Sequence, residues 1–213
     1  MDQEAPAEHH YLLRYAKTGD ARYLSLHDVR RAWERATRRA GLPLAYSRGF
    51  RPKPRLTFGP PLAVGAEGLR ECVVLSLRED VPPDSVRERL ASATADGLAV
   101  GEIRRVARRK FKTTWATYCL KLEEPPDDLA DRVERLLAAP TVAVQRDDRG
   151  GRPSRTRDIR PGVMELAVGP ETHLHARLSL RDPSIVTPRD LASALGVVFD
   201  TVVRTEIETE LPD

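Results

Sequence analysis

The order in which the hydrophobic periods follow one another limits what this chain can fold into. Tyr11–Tyr15 reads as a strand, with Leu12 and Leu13 breaking strict alternation, and Lys17-Thr18-Gly19-Asp20 as a turn. Arg22–Leu26 reads as short and extended. From about His27 to Arg39 the apolar residues Val29, Trp33, Ala36 and Ala40 recur at helical spacing. Gly41 stops that helix and Pro43 prevents its restart. Leu44–Ser47 and Arg55–Phe58 are extended and flank a proline-rich loop. Cys72–Leu77 is apolar on both faces, as a central strand is. Pro82-Pro83-Asp84 opens a helix to about Ala95, Asp96-Gly97 ends it, and Leu98–Val106 is again a strand. The order is strand, helix, strand, strand, helix, strand.

Arg108-Arg109-Lys110-Phe111-Lys112 reads as a boundary, and beyond it the order repeats. Thr114–Leu122 alternates as a strand, and Pro126-Asp127-Asp128 opens a helix to Ala139. Thr141–Gln145 is a strand, Arg146–Arg157 a polar turn, and Asp158–Val168 an extended continuation. His173–Leu180 alternates strictly. Thr187 is an N-cap with Pro188 in the first turn of a helix to about Leu195, and Val202–Glu208 closes as a strand. The expected class is α+β, with two tandem ferredoxin-like (β-α-β-β-α-β) subdomains, each a four-stranded antiparallel sheet under two helices. Their expected extents are residues 10–107 and 113–213, after a flexible tail over 1–9.

Composition removes several classes of function. The chain has 213 residues, 40% of them apolar, which fits a folded domain or pair of domains. No run of about 18 apolar residues exists for a membrane-spanning helix. Met1–Glu8 is acidic and polar, without the regions of a signal peptide. A cytoplasmic protein with no membrane partner is expected. Cys72 and Cys119 lie in strand-like patterns and read as buried free thiols. No Cys triplet is present to hold an iron–sulfur cluster, so no cofactor is expected in this chain. Phosphate-loop and dinucleotide fingerprints, a Ser-His-Asp triad, paired carboxylates and a zinc motif are all missing from the sequence.

Charge is the feature that points to a function. The whole chain is near balance, with 35 basic and 32 acidic residues. Between Arg22 and Arg55, however, ten cations meet only two acids, Asp28 and Glu34. Arg30, Arg31, Arg35, Arg38 and Arg39 occupy the polar face of the first helix. Arg48, Arg51, Lys53 and Arg55 then crowd into a loop stiffened by prolines and bearing Phe50, with Phe58 just beyond. Guanidinium forks suit phosphates, and a stiff loop lowers the entropic cost of holding charges in place. Gly49, Gly59 and Gly65 punctuate the region as turn residues or points of close approach. Phe58 reads as core; Phe50 is placed equally for packing or for stacking on a base. His27 beside Asp28 is a weak catalytic candidate at a helix start, where a cap or surface role is the commoner use. His9-His10 falls in the tail. His173 and His175 share one strand face, too few for a metal site. A second basic cluster is formed by Arg149, Arg152, Arg155, Arg157 and Arg160.

Lys17-Thr18-Gly19, Tyr23-Leu24-Ser25, the run Arg39–Pro54 and Gly65 together resemble the radical SAM-linked protein family. This is a domain of unknown function found beside, or fused behind, cobalamin-type radical SAM proteins. Arg155–Arg160 also resembles a recurring segment of that family. The chain departs from the pattern at Ser25-Leu26-His27-Asp28, where the family reads Ser-His-Leu-Asp, and at Arg51 and Lys53, where it reads Asn and His. The resemblance implies an accessory protein whose partner carries a 4Fe-4S cluster, S-adenosylmethionine and, in the cobalamin-dependent type, cobalamin. The candidate binding residues are Lys17, Ser25, Arg30, Ser47, Arg48, Gly49, Phe50, Arg51, Lys53, Arg55, Arg155 and Arg157. On this reading the chain is not the catalyst by itself; it would bind the radical SAM enzyme or present an anionic substrate to it, while a third reading keeps it as an enzyme in its own right that uses His27 or Asp28. The competing expectation is an RNA-binding or RNA-processing protein of the Cas6-like kind, which also pairs tandem ferredoxin-like domains with a Gly- and Arg-rich loop.

Overall fold

In the computed structural model, residues 8–146, 155–170 and 173–210 are described. They form a mixed α+β structure with four α-helices and ten strands. The chain divides into two compact units, one built from the chain up to Lys112 with the stretch from Thr209, the other from Thr113–Glu208.

The first unit contains β1 (His9–Lys17), α1 (Leu26–Arg39), β2 (Leu56–Phe58), β3 (Glu67–Leu77), α2 (Pro83–Ala91) and β4 (Leu98–Val106). Its strands lie in the order β4-β1-β3-β2, and every adjacent pair is antiparallel. The register sets Tyr11 opposite Leu75 and Leu13 opposite Val73. Tyr11, Leu13, Tyr15, Val73, Leu75 and Leu77 join Val29, Trp33 and Ala36 of α1 and Val86 and Leu90 of α2 in one core. Leu12 and Val74 are register partners on the opposite face and are also buried, which accounts for the broken alternation of β1.

Helix α1 forms where its period and its cap agree. The Ser25 hydroxyl accepts from the Asp28 backbone N–H at 3.2 Å, and the apolar stripe places Trp33, fully buried, edge-on to Tyr15 at 5.0 Å. Gly41, at φ 59°, takes the left-handed conformation that ends the helix. Two local expectations are corrected. Arg22–Leu26 is extended only at Leu24 and Ser25: a 3-10 turn covers Gly19–Tyr23, because the Leu24 N–H returns to the Ala21 carbonyl and Ala21 is buried, and α1 begins at Leu26. Helix α2 stops at Ala91 rather than Ala95, because the Ala93 N–H tightens onto the Leu90 carbonyl. His9 and His10 open β1.

The second unit contains β5 (Lys112–Leu122) from Thr113 on, α3 (Leu129–Ala138), β6 (Ala143–Arg146), β7 (Arg155–Asp158), β8 (Val163–Val168), β9 (His173–Ser179), α4 (Pro188–Leu195) and β10 (Phe199–Glu210) as far as Glu208. The main sheet runs β10-β5-β9-β8, and β6 pairs with β7 in a separate two-stranded sheet. Removing that hairpin leaves the element and neighbour order of the first unit. The expected unbroken strand over Asp158–Val168 is instead divided by a 3-10 turn at Arg160–Gly162. Pro161 has no N–H for a ladder, and the Asp158 carboxylate accepts from the backbone N–H groups of Val142 and Arg160, at 2.7 and 3.0 Å. Of the expected buried thiols, Cys72 is buried while Cys119 is only half-buried, on the less covered face of β5, and neither forms a disulfide.

Candidate functional site

The basic loop of the first unit is a pinned finger. Tyr46 and Pro54 form an antiparallel bridge, and the Arg55 N–H donates to the Ala45 carbonyl at 2.9 Å. One step further out the Ser47 N–H donates to the Lys53 carbonyl at 2.9 Å, and the Lys53 N–H donates to the Ser47 hydroxyl at 3.0 Å. The base is fixed to β3 by the Ala45 N–H on the Ser76 carbonyl and the Ser76 N–H on the Arg55 carbonyl, at 2.8 and 3.1 Å. Ser47 is therefore a clamp at the neck. Beyond it Arg48, Gly49, Phe50, Arg51, Pro52 and Lys53 are all exposed, and Gly49 turns the tip at φ 128°. Phe50 has a relative exposure of 109%, so its ring touches almost nothing of its own chain. Among the described residues no carboxylate pairs with Arg48, Arg51 or Lys53.

Two of the expected binding residues leave this set. Arg55 is half-buried and its guanidinium donates to the Glu8 carboxylate at 2.7 Å, so its charge is already answered. Lys17 is buried at 2% exposure on β1, in the phase of Tyr11, Leu13 and Tyr15, and is no surface contact. It lines a cavity of about 20 Å³ with Tyr15, Phe58, the buried Glu71 and Cys72, room for about one water. Neither burial was read from the sequence, and the pairing of β1 with β3 shifts register between Tyr15 and Lys17.

The arginine face of α1 is exposed at Arg30, Arg31, Arg35, Arg38 and Arg39, as its periodicity predicts. Arg30 lies over the ring of Phe58, 5.5 Å from its centroid, and Phe58 also packs against the core. Ser25 and Asp28 are spent on the helix start. The Ser25 hydroxyl donates to the Asp28 carboxylate at 2.6 Å, and that bond holds the Asp28 carboxyl below the usual carboxylate range. His27 is exposed beside it and is not among the residues that line the cavity at Lys17. Asp28 thus takes part in capping α1.

In the second unit Arg149 and Arg152 lie outside the described residues. Arg155 is exposed on β7, opposite Arg146 of β6. The Arg157 guanidinium donates to the Pro183 carbonyl and lies 3.8 Å from the Asp182 carboxylate. Arg160 donates to the Leu137 carbonyl at the end of α3 and to the Val163 carbonyl at 3.0 Å, so it is a helix-end clamp. Only Arg155 of this described cluster is left facing solvent without a bond. His173 is half-buried, with Nδ1 3.1 Å from the Pro170 carbonyl, and His175 is exposed.

No helix among the described residues is long and apolar enough to cross a membrane. Comparison with curated proteins finds no match. A solved chain from the crystal structure of a Cbf5-Nop10-Gar1 complex is similar at 13% identity and a TM-score of 0.49. The match covers 92% of this chain and 48% of that one, so the chain spans about half the length of the solved relative. Residues 10–188 match a family described as uncharacterized protein conserved in bacteria. That span takes in the finger and the helix that leads to it and runs into the second unit as far as the first residue of α4, and the chain belongs to this family, DUF2344.

Proposed function

We propose that this protein is a non-catalytic accessory subunit of a radical SAM enzyme and engages its partner through the finger Ala45–Arg55. The observation that carries this reading is the finger itself: a neck closed by reciprocal Ser47–Lys53 bonds and a tip whose Arg48, Arg51 and Lys53 have no acidic partner among the described residues. Cations held on a stiff support bind an anion at a lower ordering cost than the same cations on a flexible loop. The resemblance to radical SAM-linked proteins names the enzyme class. The 4Fe-4S cluster, S-adenosylmethionine and any cobalamin belong in this reading to the partner, and the finger either docks on that enzyme or presents an anionic substrate to it.

The test is anaerobic purification of tagged wild-type chain and of Arg51→Glu/Lys53→Glu from native cells, with mass spectrometry and iron–sulfur absorbance of what is retained. The wild type is expected to hold a radical SAM enzyme, and the double variant to lose it. Both side chains are exposed, so the variant should unfold within about 0.5 kcal/mol of wild type. No radical SAM enzyme on the wild type, or equal retention by both chains, overturns the reading.

A further inference from the structure

We infer that the anion taken by the finger is single-stranded nucleic acid, with a base stacked on Phe50 and the neighbouring phosphates held by Arg48, Arg51 and Lys53. This rests on the anion-binding reading above and adds the substrate class. Three observations carry it. The Phe50 ring is fully exposed at the end of a support that is itself pinned, so the ring is presented rather than left over from a loose loop. Its rim is cationic, and no acid occurs from Ala45 to Arg55. The tip also offers no other apolar side chain besides prolines, and the nearest exposed large apolar residue in sequence is Tyr46 at the neck.

Each alternative ligand leaves part of this arrangement without a use. A small anion would engage the guanidinium groups and leave the ring in water. A protein pocket that took Phe50 could use the two arginines, which are common at hot spots, but it would also have to bury Lys53, and lysine is depleted from interface cores. Duplexes keep their base faces stacked, and a side chain that inserts between them must first unstack a step. Single strands supply both partners at once: every base has a π face, and every linkage carries a phosphate. Gly49 adds to the fit, because the absence of a side chain beside Phe50 lets a backbone approach the tip, and a Cβ there would meet no atom of the protein within 4 Å.

The experiment uses the full chain and fluorescein-labelled twelve-nucleotide RNA, the same sequence as DNA, and the RNA duplex, followed by anisotropy at two salt concentrations. Single strands are expected to bind more tightly than the duplex. Phe50→Ala should weaken single-strand binding by about tenfold, within the range for loss of one stacked base, with an unchanged thermal transition and an unchanged salt slope. Phe50→Trp should restore it. Arg48→Gln/Arg51→Gln/Lys53→Gln should lower the salt slope by about 2, at roughly 0.7 per lost phosphate contact on a single strand. The RNA and DNA arms identify which strand is held. Duplex binding as tight as single-strand binding, or an unchanged affinity in Phe50→Ala, overturns the inference. Retention of a radical SAM enzyme that requires Phe50, with no oligonucleotide bound, would leave the accessory reading standing and refute this one. Oligonucleotide binding without any retained enzyme would do the reverse.

Discussion

Replacing Asp190 by alanine should remove two separable supports of the second unit. Asp190 is 5% exposed and its carboxylate accepts both Nε of Arg146, at 2.7 Å, and a second guanidinium N–H of the same arginine. It also accepts from the Thr187 backbone N–H and hydroxyl, at 2.8 and 2.6 Å, while the Thr187 hydroxyl accepts the Asp190 N–H in a capping box. Loss of the cap costs about 1 kcal/mol. Loss of the charged two-point bond costs about 2 kcal/mol; the side chain of Arg146 is 26% exposed and keeps its bond to the Ile185 carbonyl, which holds the figure below that of a fully orphaned buried charge. Asp190→Ala should therefore lose about 3 kcal/mol, Arg146→Ala about 2, and the double variant about 3 again, a coupling of about 2 kcal/mol by urea denaturation at pH 7. Burial works against the Asp190 charge, but the bonds from Arg146 and Thr187 outweigh it and hold the carboxyl below its ordinary value. A depressed folded value means the contribution is complete above about pH 4 and is lost as pH falls through the folded value, so wild type and Asp190→Ala should converge in acid. Additive losses of about 5 kcal/mol in the double variant, or a gap that does not narrow below pH 4, would refute the clamp. Since Arg146 belongs to β6, the variants should also speed amide exchange across β6 and β7, the hairpin that carries Arg155.

Trp33→Ala should destabilise by about 3–5 kcal/mol, since the ring is fully buried against Tyr15; a loss below 1 kcal/mol in urea would show that the α1 face is not the core contact described. Gly97→Ala should cost about 2 kcal/mol or more, because Gly97 sits at φ 77° and its Cβ would come within 2.6 Å of the Thr18 carbonyl oxygen and 2.7 Å of the Ala21 Cβ; an unchanged melting temperature would contradict that close approach. His10 is held below its ordinary value of 6.5, first by burial and then by Arg109 and Arg55, against the pull of Glu8. Its neutral form is the folded one, so its contribution is complete above about pH 6.5 and is lost as pH falls through the folded value; a His10 NMR titration midpoint at or above 6.5 would contradict this. The isolated chain should be colourless after anaerobic purification, and a stoichiometric iron–sulfur or cobalamin spectrum would overturn the assignment of those groups to a partner.

What the sequence determined by itself is whatever is encoded in a few consecutive residues. The face Val29, Trp33, Ala36 is buried as its period predicts, Thr187 and Pro188 start α4, and β4 spans Leu98–Val106 as expected. The concentration of cations in the loop was equally plain. Tertiary structure decided what each charge does, because that depends on neighbours far along the chain. Lys17 and Glu71 are buried, Arg55 is neutralised by Glu8, and Arg160 closes the end of α3, although in the sequence all look like surface charges. The same holds for the hairpin β6–β7, whose strand at Ala143–Arg146 pairs outside the main sheet. The finger joins both kinds of information. Its prolines and cations are local, but its shape comes from bonds between Ala45, Ser47, Lys53 and Arg55 and from anchorage on Ser76 of β3. Only that anchorage leaves Phe50 standing clear among Arg48, Arg51 and Lys53, since a loop without a closed neck could turn the ring back onto the core.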